Sequence, residues 1–230
     1  MPAAEVNTAL PDEEDPGGGA LLLFDLFSEE FVLLRTLYDK MGGMEEASEV
    51  LGLLELGKQV RQGTREWTKD DLESIVRWKH MEALMSKIER EANLGLRLAQ
   101  AFRVRDEESR TEALCRIPGI GPVLASVLLT LTFPDKYAPL DNRTWSALSS
   151  LGFELRKRPY SGGGYTIPEL LRYLRLMKAL AKIARATPWE AAKALYALDQ
   201  VKTRTKWKRE FDSLKSSPPV LALPSAELEV

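Results

Sequence analysis

The chain has 230 residues, 44% of them hydrophobic and 29% charged, with a formal net charge of -2, a composition that excludes wholesale disorder and fits one or two globular domains. A single cysteine, Cys115, and a single histidine, His80, exclude a disulfide framework and a cysteine-ligated zinc or iron–sulfur centre. No run of 18 apolar residues is present, and the N-terminus lacks a signal-peptide pattern, so an intracellular, cytoplasmic protein is expected, with no membrane partner.

Residues 1–19 (MPAAEVNTALPDEEDPGGG) are acidic and rich in proline and glycine, which predicts a disordered acidic arm. Residues 1–50 carry twelve acids and two bases, so the remaining 180 carry 30 bases and 22 acids. That basic body suits nucleic acid, or else simply spreads its charge over solvated faces. A helical pattern runs from about Leu21 to Lys40 and stops at Gly42-Gly43. A short second helix covers about Glu45 to Leu56, and Gly57 to Gly63 reads as a connection. Thr68 with Asp71 resembles a capping box opening a helix over about 69–90, where Leu72, Ile75, Val76, Met81, Leu84, Met85 and Ile88 recur at the spacing of one buried face. Further helices are expected over 93–104, 107–116 and 123–132. Thr166 with Glu169 and Thr187 with Glu190 are capping boxes that open helices over 167–185 and 188–200, with Pro188 at the first helical position. A basic segment, KTRTKWKREF, starts at Lys202, and the proline-containing residues 216–230 read as a loose tail. No alternating strand pattern persists. The expectation is an all-α domain over 20–215, of about ten helices.

The stretch from Ala113 to Trp145, ALCRIPGIGPVLASVLLTLTFPDKYAPLDNRTW, carries the chemistry. Gly119 and Gly121 flank Ile120 between two helical patterns. Glycine reaches positive φ without steric cost and puts no side chain between backbone and ligand. Pro122 is preset for a first helical turn, and the free amides of such a turn attract an anion. The following segment, VLASVLLTLT, is apolar on every side and must be buried, which gives the turn a rigid mount. A turn of this kind grips a nucleic-acid backbone without reading its sequence. Beyond it stands Asp141, in Pro139-Leu140-Asp141. Asp141 or Asn142 can simply cap the helix NRTWSALSSL, a role compatible with chemistry.

Ile117-Pro118-Gly119-Ile120-Gly121, the buried helix and Pro139-Leu140-Asp141 resemble the helix-hairpin-helix DNA glycosylase superfamily, which shares a Gly/Pro-rich loop and a catalytic aspartate. The close resemblance covers about 30 residues. It implies a helix-hairpin-helix glycosylase-like helical fold that binds duplex DNA as a monomer and flips a nucleotide into a pocket. Asp141 would stabilise charge on the sugar C1′ or activate water. Pro118, Gly119, Ile120, Gly121, Pro122, Val123 and Leu124 would hold the DNA backbone, joined by Arg143. Members that also cut the strand carry a lysine where this chain has Val123, which cannot form a Schiff base, so a monofunctional enzyme is implied. The iron–sulfur cluster of several branches is absent. By position, the carbonyls of Cys115, Ile117 and Ile120 would hold a structural sodium or potassium ion; no other cofactor is implied.

Trp78, Lys79, His80, Tyr137 and Trp145 are the candidate walls of a base pocket, with core packing as the plainer role for both tryptophans. The basic loop LRKRPYSGGGY and the Lys202–Arg209 cluster with Trp207 are candidate extensions of a DNA footprint. Three rivals stand beside the glycosylase. They are a non-catalytic DNA-binding module, a protein-interaction domain using the turn only for packing, and a lyase using Lys79 or Lys136.

Overall fold

A computed structural model of the chain describes residues 18–41, 44–79, 81–153, 155 and 164–216. The expected arm lies outside these except for Gly18 and Gly19, and the expected tail outside them except for Ser216. The Gly42-Gly43 stop, His80 and the bases Arg156, Lys157 and Arg158 also lie outside. Among the described residues every regular element is helical, with eleven α-helices and one short 3-10 turn. None of these helices is long and apolar enough to cross a membrane.

The middle of the chain forms one group: α2 (Met44–Arg61), α3 (Lys69–Trp78), the 3-10 turn (Glu82–Leu84), α4 (Met85–Glu89), α5 (Leu94–Arg103), α6 (Glu107–Cys115) and α7 (Pro122–Thr132). The two ends of the chain form the other: α1 (Gly18–Met41), α8 (Asn142–Ser150), α9 (Ile167–Ile183), α10 (Pro188–Thr203) and α11 (Thr205–Ser216). Helix α10 packs on α1, α8, α9 and α11, whereas α7 packs on α2 and α6. Helix α9 touches members of both groups. A continuous apolar core joins them. Residues Leu124 to Thr132 of α7 are all buried, as an all-round apolar helix must be.

The expected capping boxes at Thr68, Thr166 and Thr187 all form. Two expectations need correction. Helix α2 runs straight through Gly57 instead of ending at Leu56. A Cβ on Gly57 would lie 2.0 Å from the Leu131 carbonyl oxygen, so this glycine lets two helix backbones touch and does not break a helix. The helix expected over 69–90 is broken after Trp78. The Met81 amide donates to Val76 O at 2.9 Å, and the chain turns before Glu82. No glycine or proline marks that break; apolar spacing continues through it while the direction of the chain changes. The basic segment forms α11, anchored by the buried Trp207 and Phe211.

Part of the charge asymmetry is internal pairing. Asp39 of α1 accepts from Lys193 of α10 at 3.1 Å, and Glu30 pairs with Lys215 of α11. These bases serve the acidic N-terminal helix.

Candidate functional site

Between α6 and α7 the chain makes a tight turn. The Ile117 amide donates to Leu114 O at 3.0 Å, and the Ile120 amide to Ile117 O at 2.9 Å. Gly119 has φ +85°, and a Cβ there would lie 2.7 Å from Ile88 Cγ1 and 3.0 Å from Ile88 N. Only glycine satisfies both the backbone angle and the contact with α4. Ile120 is buried and pins the turn to the core. Gly121 faces open space, with nothing within 4 Å of a built Cβ. It caps α7 without a side chain, and Pro122 has no N–H. The first helical bond is Ala125 N–H to Gly121 O at 2.9 Å. Among the described residues, the Val123 and Leu124 amides therefore have no acceptor, an arrangement that suits an anion. Arg97 closes the far side by donating to Arg116 O at 3.1 Å. Cys115 ends α6; burial, then Glu112, pushes its thiol up to about 12, so it remains a protonated, inert thiol.

Asp141, not Asn142, is the N-cap of α8. Its Oδ1 accepts from the Arg143 amide at 2.9 Å and the Thr144 amide at 2.8 Å, and Thr144 Oγ1 lies 3.2 Å away. No described residue donates to Oδ2. The backbone before it is fixed from two sides. The Leu140 amide donates to Ser126 Oγ at 2.8 Å, and Ser126 Oγ in turn donates to Val123 O at 2.6 Å. The buried Tyr173 hydroxyl donates to Pro139 O at 2.7 Å. Burial, and then the Asp141 carboxylate, raise the Tyr173 hydroxyl well above its ordinary value, so it remains a donor.

Asp141 lines a small, open surface cleft with about 40 Å3 of room. Tyr38 comes from α1, Trp78 and Lys79 from the end of α3, and Pro139, Asp141 and Thr144 from the start of α8. Trp189, Ala192, Lys193 and Tyr196 come from one face of α10. Four aromatic side chains and two ammonium groups thus surround one carboxylate. Lys79 Nζ lies 4.1 Å from the Trp78 ring centroid, and Lys193 Nζ lies 5.5 Å from that of Tyr38. The buried Trp78 Nε1–H has no acceptor among the described residues.

The structure brings Trp78 and Lys79 into the cleft with Asp141 and leaves Tyr137 and Trp145 out of it. Tyr137 lies elsewhere, in a cleft with Glu107, Thr111 and Lys178, where Arg110 donates to its hydroxyl at 3.4 Å. Trp145 is 4% exposed and packs edge-on against Tyr165 at 5.1 Å, in the core. Arg143 donates to the buried Asp199 at 3.0 Å; it braces α8 against α10. Lys136 is exposed and outside the cleft. His80 lies outside the described residues. Tyr38, Trp189, Lys193 and Tyr196 were not anticipated. The spacing of 189, 192, 193 and 196 marks one helix face, but nothing local says what that face meets.

Among the described residues no three His, Cys, Asp or Glu side chains gather as a metal site. The turn offers a cation carbonyl oxygens, of which Ile117 O already receives the Ile120 amide. Comparison with family models, curated proteins and solved structures finds no match.

Proposed function

We propose that this protein is a monofunctional DNA base-excision glycosylase of helix-hairpin-helix type. The observation that carries the reading is the dual placement of Asp141. It caps α8 through Oδ1 and at the same time lines an open surface cleft walled by aromatic side chains. A capping aspartate on a closed surface would favour the non-catalytic binding module instead.

Two further features support it. The open amides of Val123 and Leu124 stand at the glycine turn, where a DNA phosphate would be gripped without sequence readout. Ser126 joins that turn to the residue before Asp141, so backbone grip and chemistry share one rigid support. The reaction hydrolyses the glycosidic bond: the C1′–N bond breaks with its electron pair leaving on the base, water adds to C1′, and the water proton passes to the Asp141 carboxylate and on to the base. The aspartate also opposes the positive charge that develops on the sugar. Val123 supplies no amine, so the product is an intact strand with an abasic site.

The test is base release from a panel of labelled duplexes, each with one altered base, followed by alkali to cut abasic sites. Asp141→Asn keeps a capping oxygen and loses the charge. It is expected to fold normally and to release base about 100- to 10,000-fold more slowly. Strand cutting without alkali would point to a lyase. Salt-sensitive DNA binding with no release from any duplex would favour the binding module.

A further inference from the structure

Outside the cleft, positive charge gathers at the corner where α10 meets α11. Residues 202–209 hold five bases, Lys202, Arg204, Lys206, Lys208 and Arg209, and no acid. All five are exposed, and among the described residues none of them meets a carboxylate. Lys202 donates to the neutral Ser150 Oγ at 2.7 Å and keeps its charge. Bases elsewhere are treated differently: Arg35, Arg143, Lys178 and Lys193 each hold a carboxylate of another helix. The acids next to the corner are already engaged, Asp199 with Arg143 and Glu210 with Lys40. The chain's own acidic arm does not neutralise the corner either. Lys40 pairs with Glu210 and Glu30 with Lys215, so α1 leads away from the corner toward its N-terminus. From Lys40 back to Gly18 that helix spans about 33 Å. Asp12, Glu13, Glu14 and Asp15 lie within six residues of Gly18, a reach of about 20 Å.

We propose that this corner is a second DNA contact, separate from the glycine turn, at which Arg204, Lys206, Lys208 and Arg209 hold the phosphate backbone of a duplex without reading its sequence. Uncompensated charge of one sign, spread over two helices, suits a polyanion and not a single small anion. A bilayer surface fits less well. Trp207 and Phe211, the large apolar side chains at the start of α11, are each 6% exposed and face the core, so the outer face has no apolar group to insert. The position also suits DNA. The Trp207 ring packs against that of Tyr196 at 6.0 Å, and Tyr196 lines the cleft that holds Asp141. Lys206 and Lys208 flank Trp207, so the charged corner abuts the cleft wall. The glycine turn reaches the same cleft by another route, through Ser126 and Leu140. The proposal goes beyond the glycosylase reading, because holding a backbone requires no chemistry at Asp141.

The experiment measures binding of the full chain to a labelled duplex of ordinary bases at salt concentrations from about 0.05 to 0.2 M. One variant combines Arg204→Gln, Lys206→Gln and Lys208→Gln. A control combines Lys58→Gln, Arg61→Gln and Arg103→Gln, which removes the same charge from bases that already have carboxylate partners. The corner variant is expected to bind about 10- to 100-fold more weakly, with the slope of log affinity against log salt lessened by about 2–3. The control is expected to stay within a few-fold of the parent. Thermal unfolding checks that both variants are folded, and Lys208→Gln alone is expected to lessen the slope by about 1. Equal weakening by the control would assign the effect to net charge and overturn the proposal. So would a corner variant that binds like the parent, or a parent that does not bind the duplex. Unchanged duplex binding with lost binding to phosphatidylcholine vesicles containing phosphatidylserine would assign the corner to a membrane surface instead. Because the duplex carries no altered base, failure here leaves the base-release test of the glycosylase untouched, and failure of base release leaves this contact standing.

Discussion

The Leu140 amide donates to Ser126 Oγ at 2.8 Å, tying the residue beside Asp141 to the first turns of α7. Both groups are buried, and the same hydroxyl donates to Val123 O at 2.6 Å. The hydroxyl is used as acceptor and donor together, so no hydrocarbon side chain replaces it. Ser126→Ala leaves the Leu140 N–H buried without a partner, at a cost of about 1–3 kcal/mol. Denaturant unfolding is expected to show that loss with an unchanged slope. Base release from the folded fraction is expected to fall as well, because the segment that aims Asp141 is freed. A variant as stable and active as the parent would show that the link is incidental.

Gly57 sits where α2 meets α7. Its built Cβ would be 2.0 Å from Leu131 O and 2.5 Å from Leu131 C, both backbone atoms of a buried helix. Neither helix can yield by a side-chain rotation, so the helices must separate. Gly57→Ala gains helix propensity, worth about 1 kcal/mol in an exposed helix. Here overpacking wins, with an expected net loss of about 3 kcal/mol or failure to fold. Gly52 lies in the same helix with nothing within 4 Å, so Gly52→Ala is the control and is expected to be neutral or stabilising. Two melting temperatures displaced in the same direction would reject the contact.

These glycines show what the sequence discloses and what it hides. Gly119 was legible because its neighbours Pro118, Gly121 and Pro122 spell a tight turn. Gly57 reads locally as a connection because its reason is a contact with Leu131, 74 positions away and invisible to local pattern. Capping boxes at Thr68, Thr166 and Thr187 were legible because their partners lie three residues apart. The cleft was legible only at Asp141, Trp78 and Lys79. Its remaining walls come from α1 and α10, which meet through the fold of both chain ends. Tyr137 misled for the complementary reason: nearness to Asp141 in sequence said nothing of which way its ring turns, whereas Trp145 takes the core place that was its plainer role.

Glu190 joins α10 to α1 and gives the fold a predictable acid response. Its Oε1 accepts from Arg35 at 2.7 Å, and its Oε2 accepts from the Thr187 amide at 2.9 Å and the Thr187 hydroxyl at 3.1 Å. Burial alone pushes this carboxyl up. The Thr187 bonds, Arg35 and Lys193 together outweigh burial, and the net position is below the ordinary 4.5. A carboxyl lowered in the folded state stabilises above its unfolded value, and that stabilisation disappears as pH falls through the folded value. Glu190→Gln is therefore expected to lower stability at pH 7 by less than about 1 kcal/mol, since the pair is partly exposed. The difference from the parent should shrink steadily below pH 4.5, where the protonated acid and the amide become alike. At high salt the pH 7 difference should also narrow, because screening weakens the Arg35 and Lys193 contributions. Unfolding free energies measured from pH 7 to pH 3 check both trends. A constant gap across that range would mean that Glu190 acts through shape alone.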